Sequence, residues 1–139
     1  MEDTAVRAAH ELRSVFSRLR RLLRDVASPD GLTPSQTSVI GALAKQDATA
    51  ATLAAAERVR PQSMAATLAA LEQQGLVVRR ADPDDGRRQL VSLSDAGQAR
   101  LAGDRAARQE WLASELAQRY SEEERRTLLT ALSLLERLL

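Results

Sequence analysis

The sequence predicts a mainly α-helical chain carrying one small β-hairpin. Three observations lead there. Of 139 residues, 25 are Ala and 22 are Leu, and only Phe16, Trp111 and Tyr120 are aromatic; Ala and Leu are strong helix formers. Apolar residues recur three and four apart over most of the length, which is the period of an amphipathic helix. Only over 76–93 does the period shorten toward alternation, around the turn-forming run Asp82-Pro83-Asp84-Asp85-Gly86.

The first helix spans about 4–26, with Val6, Ala9, Phe16, Leu19, Leu22, Leu23 and Val26 on one face and Arg13 interrupting it. Ser28-Pro29-Asp30-Gly31 ends it, because Pro lacks a donor and Gly permits turn geometry. Thr33 then caps a second helix and Pro34 fits its first position. Val39, Ile40 and Leu43 give this helix its apolar face, and it fades near Gln46-Asp47. A short Ala-rich helix follows over 52–57. Pro61 opens a fourth helix that runs to about Gln74, with Met64, Leu68 and Leu71 as its buried stripe and Gly75 as its stop.

Two strands come next, Leu76–Arg80 and Arg87–Leu93, joined by a polar loop that should project into solvent. Ser94 caps a long fifth helix marked by Ala99, Leu101, Trp111, Leu112, Leu116 and Tyr120. Ser121 and Glu124 form a capping box for a sixth, striped by Leu128, Leu129, Leu132, Leu135 and Leu138. Helix, short helix, helix and hairpin in this order make a winged helix-turn-helix over about 32–97. The flanking helices, about 4–26 and 98–139, are not needed for that unit. Packed together, and with the same pair from a second chain, their greasy stripes would bury what one domain cannot. Such a two-fold dimer would set two reading helices roughly 34 Å apart for a palindromic site. The plain alternative is a self-contained helical monomer.

In such a unit the second helix of the turn enters the major groove with its first residues toward the bases. Arg60, Pro61, Gln62 and Ser63 form that start here, with Thr67 one turn on. Arg can donate twice to guanine, Gln can pair with adenine, and Ser63 and Thr67 suit phosphate oxygens. The plain alternative is a solvated helix start. The hairpin carries Arg79, Arg80, Arg87 and Arg88 among Asp82, Asp84 and Asp85. Exposed acids would repel DNA, so the aspartates are expected to hold arginines in place. An Asp85–Arg87 pair would fix the wing, with Arg87 or Arg88 reaching the minor groove.

Composition excludes several other chemistries. There is no Cys, so thiol catalysis, disulfides and thiolate metal sites are ruled out. One His makes a zinc hydrolase a poor fit. Lys plus Arg total 20 against 19 acids, so the charge of +1 does not describe a polybasic protein, although a local basic surface is compatible with it. The serines sit at helix starts with no His beside them in sequence, which gives no catalytic arrangement. The Asp82–Asp85 cluster lacks the loop length and terminal Glu of a calcium-binding hand. No cofactor is expected. The acidic Met1-Glu2-Asp3 is unlike a signal peptide, and no run approaches a membrane span, so the expected compartment is the cytoplasm.

The stretch from Leu76 to Gly97, LVVRRADPDDGRRQLVSLSDAG, strongly resembles the wing signature of MarR-type transcriptional regulators. Leu32-Thr33-Pro34-Ser35-Gln36 and Leu71-Glu72-Gln73-Gln74-Gly75-Leu76 are similar to that family as well. The resemblance implies a homodimer, joined through N- and C-terminal helices, on pseudo-palindromic duplex DNA. It implies a repressor of bacterial genes, released when a small aromatic or phenolic ligand such as salicylate binds between the dimerisation helices and the DNA-binding unit. By motif position Asp85 and Arg87 match the family's wing Asp-x-Arg. Many relatives carry an arginine where this chain has Gly86, which leaves Arg88 as a rival to Arg87. Candidate ligand-lining residues are His10, Phe16, Arg20, Val39 and Leu43. The other class of function open to such a chain is a helical adaptor that binds another protein and not DNA.

Overall fold

The computed structural model describes residues 3–27 and 31–139. Six helices and a small sheet appear among them: α1 (Thr4–Ala27), α2 (Pro34–Lys45), β1 (Ala48–Thr49), α3 (Ala50–Glu57), α4 (Pro61–Gln73), β2 (Val77–Ala81), β3 (Gln89–Leu93), α5 (Asp95–Arg119) and α6 (Glu122–Leu135), with a 3₁₀ turn at Glu136–Leu138. The order matches the winged helix-turn-helix with flanking helices that the sequence predicts. The proposed stop at Ser28–Asp30 lies outside the described residues; Gly31, just after it, has a φ of 89°. No helix among the described residues is long and apolar enough to cross a membrane.

Local chemistry explains most boundaries. The Thr33 side chain accepts from the Gln36 N–H at 3.2 Å, and the Gln36 side chain accepts from the Thr33 N–H at 3.1 Å, so two of the orphan donors at the start of α2 are satisfied. At the end of α4 the Leu76 N–H reaches the Leu71 carbonyl and the Gly75 N–H reaches the Glu72 carbonyl. This closing motif needs a left-handed residue at position 75, and Gly75 supplies it with φ 73°. The α3 end closes the same way, through Val59 N–H to the Ala54 carbonyl, but the left-handed position is held by Arg58 at φ 55°.

The sheet differs from the predicted hairpin. It has three strands in the order β1-β3-β2, with Ala48 opposite Val91 and Thr49 opposite Leu90 on one edge of β3. β2 pairs antiparallel with the other edge, from Val77–Leu93 to Ala81–Gln89. β3 starts at Gln89, so Arg87 and Arg88 belong to the loop and not to the strand.

The core sits wholly in the central unit. Leu32, Val39, Ile40, Leu43, Leu53, Ala54, Met64, Leu68, Leu71, Leu76, Val77 and Val91 are buried together, with Leu68 and Leu71 at 0% exposure. Val39 and Leu43, expected near a ligand, are part of this core. The long α5 leaves it and packs along α1. Arg125 of α6 turns the next corner by donating to the Tyr120 carbonyl at 2.8 Å at the end of α5. α6 buries no residue, and Phe16 of α1 and Leu129 of α6 remain 62% and 65% exposed.

Candidate nucleic-acid interface

Five of the helix starts carry a side-chain cap: Asp3 for α1, Thr33 for α2, Thr49 for α3, Ser94 for α5 and Ser121 for α6. The start of α4 has none. Arg60 occupies the capping position without a side-chain hydrogen bond, and Pro61 follows as the first helical residue. The leading N–H groups of α4 therefore face solvent together with Arg60, Gln62 and Ser63, all of which are exposed. Open N–H groups and the positive helix end suit a phosphate oxygen. Met64, Leu68 and Leu71 anchor the opposite face, so the helix is fixed with its start outward. Thr67 is half-buried, and its hydroxyl donates to the Ser63 carbonyl at 3.1 Å, which leaves only its acceptor side for another partner. Arg58 is also exposed, and its left-handed backbone sets it in the turn just before Arg60; its geometry was not readable from sequence.

The wing arginines divide into two pairs. Arg79 donates to Glu72 of α4 at 2.9 Å. Arg80 donates to Asp47 at 2.7 Å and to Ser92 at 3.4 Å. Both are thus tied to the body. Arg87 and Arg88 are exposed, and among the described residues no carboxylate pairs with their guanidinium groups. The expected Asp85–Arg87 ion pair is replaced by a different bond: the Asp85 carboxylate accepts from the Arg87 backbone N–H at 3.0 Å. Asp82 likewise accepts from the Asp84 N–H at 2.9 Å. Each aspartate bonds a backbone group two residues on and folds the loop tip. The acids shape the wing and leave its two outer arginines free to reach out.

A groove of about 590 Å³ opens between α1, α2 and α5. Phe16 and Arg20 line it with Thr37, Ser38, Lys45, Glu57, Arg105 and Arg108. Val39 and Leu43 do not line it, because α2 turns its Thr37–Ser38–Gly41–Lys45 face to the groove and its apolar face to the core. His10 lies instead in a shallow depression of α1 with Val6, Ala9, Arg13 and Ser14.

Known proteins share this fold. The MarR family model (MarR_2) matches residues 30–88. An HTH-type transcriptional regulator of Mycobacterium bovis is 42% identical over 118 residues, covering 84% of this chain and 82% of that protein. A crystal structure of a transcriptional regulator protein from Pseudomonas aeruginosa PA01 superposes with a TM-score of 0.81 at 42% identity, over 99% of this chain and 97% of the other. The fold is also that of an S. aureus MepR mutant bound to an oligodeoxyribonucleotide, with a TM-score of 0.71 at 20% identity, over 95% and 98% of the two chains. Together with the uncapped, outward start of α4 beside a two-arginine wing, these likenesses establish that the chain belongs to the MarR family, a family of DNA-binding transcriptional regulators.

Proposed function

We propose that the protein is a homodimeric repressor that reads a pseudo-palindromic duplex through residues 32–97 and is released by a small ligand. The observation that carries this reading is the start of α4, where Arg60, Gln62 and Ser63 stand exposed on a helix with no side-chain cap. Arg60 and Gln62 would meet base edges, Ser63 and Thr67 phosphates, and Arg87 or Arg88 the minor groove. Arg79, Arg80 and Asp85 would act by holding the wing in place. The dimer would form through α1 and α6, which leave Val6, Phe16, Leu22, Leu129 and Leu132 exposed. The ligand would enter the groove between α1, α2 and α5, where Phe16 offers a ring face and Arg20 a charge. A phenolic carboxylate such as salicylate fits those two features. The same apolar faces favour a protein partner under the adaptor reading.

Selection of genomic fragments with purified protein, followed by footprinting, tests this. The expected result is a protected site with two-fold sequence symmetry that survives competitor DNA. Retention of DNA only at very low salt would favour the adaptor.

A further inference from the structure

The groove between α1, α2 and α5 has an unusual charge. Arg20 and Arg24 from α1, Lys45 from α2, and Arg105 and Arg108 from α5 all line it, against one acid, Glu57 of α3. Arg108 is partly used, donating to the Leu23 carbonyl at 3.1 Å. Among the described residues no carboxylate pairs with Arg20, Arg24, Lys45 or Arg105. The Thr37 hydroxyl oxygen, also from the groove wall, is buried and has no hydrogen-bond partner among the described residues. Buried hydroxyls are ordinarily partnered, so this one marks a place where an acceptor or donor would be welcomed. Glu57 accepts from the Ser38 hydroxyl at 2.8 Å. It is the last residue of α3, directly before the left-handed Arg58 and the start of the reading helix.

Resting on the reading of this groove as a ligand site, we propose that it holds an organic anion of two or more negative charges, and that the Ser38–Glu57 bond passes its occupancy to α4. A single carboxylate offsets one of five cations; a polyanion offsets several. It also brings like charge against Glu57, which lines the groove and is tied to α2 through the Ser38 hydroxyl. That loosens the hold on the end of α3 and shifts the turn that sets the angle of α4. Glu57 is a positioning residue here: it lines the groove, but as a like charge it gives the anion no favourable contact.

Calorimetry on the full-length protein with benzyl alcohol, benzoate and benzene-1,3,5-tricarboxylate isolates charge on a constant ring. The tricarboxylate is expected to bind about tenfold tighter than benzoate, as two added ion pairs would give. Lys45→Gln and Arg105→Gln should each remove much of that gain, and Arg88→Gln, on the wing, should keep it. Equal affinity for benzoate and tricarboxylate, with DNA still released, would overturn the charge inference and leave the ligand site standing. Dependence on Arg88 and not on Lys45 would place the anion on the DNA face and overturn it too. If none of the three binds, the ligand-site reading falls and this inference with it. For the relay, Glu57→Gln should bind the tricarboxylate at least as tightly as the native chain while releasing less DNA per bound anion, measured by anisotropy of a labelled duplex. Unchanged release at matched occupancy would sink the relay.

Discussion

Arg87 and Arg88 differ from Arg79 and Arg80 by what already holds them. The strand arginines are spent on Glu72, Asp47 and Ser92, and the loop arginines have no such partner among the described residues. Replacing Arg88 by Ala should therefore lower the slope of log affinity against log salt by about one unit for each bound copy, whereas Arg80→Ala should change it less. A salt titration of both variants decides this; equal slopes would show that the latch on Arg80 opens on DNA. Gly97 has a different job. A Cβ there would collide with the Leu76 carbonyl oxygen, so Gly97→Ala should cost about 1–3 kcal/mol in urea unfolding. Arg58 holds a backbone shape that glycine adopts at no steric cost. In Arg58→Gly, relief of about 1 kcal/mol of strain and the added entropy of the unfolded chain should nearly cancel. Stability should stay put while DNA affinity falls, if the side chain meets phosphate; unchanged DNA affinity would remove Arg58 from the interface.

Elements were legible where a single residue type fixes a boundary. Thr33-Pro34, Pro61, Gly75, Ser94 and the Ser121–Glu124 box all sit where the sequence places them, because a cap or a proline acts over three or four residues and needs no tertiary context. β1 was not legible: two residues, Ala48 and Thr49, carry no alternation and become a strand only because β3 offers them an edge. Most of the groove's cations escaped for a similar reason. The cations are spread from position 20 to position 108 and meet only when α1 and α5 pack. Val39 and Leu43 were assigned to it from an apolar face that serves the core. At the start of α6, Ser121→Ala should cost about 1 kcal/mol of stability, read from the melting curve, since it removes the bond to the Glu124 N–H at 3.2 Å. In the same turn the hydrogen bonds from Arg125 and then Arg126 hold the Glu122 carboxyl below the usual carboxylate range. That support exists above the ordinary carboxylate pKa and fades as the pH falls through the lowered one.

For the whole molecule, the division of labour is plain in where apolar surface goes. Among the described residues, the buried hydrophobic side chains lie between Leu32 and Val91, so the winged unit has its own core. α1 and α6 keep large side chains in water, including Leu132 at 57% and Leu138 at 76% exposure. A charge placed there should split the dimer without melting the winged unit: Leu132→Glu should sediment as a monomer at micromolar concentration while retaining a cooperative unfolding transition. A native chain that is itself monomeric in dilute solution would remove the paired-site part of the account.

The central claim is that the outward start of α4 reads bases. Its most direct test is the affinity ratio between a selected operator duplex and a scrambled one, at near-physiological salt, for the native chain and for Gln62→Ala. The account predicts a ratio that drops about 5- to 150-fold, the worth of one good base contact, with binding to the scrambled duplex nearly unchanged. An unaltered ratio in Gln62→Ala and in Arg60→Ala alike would contradict it.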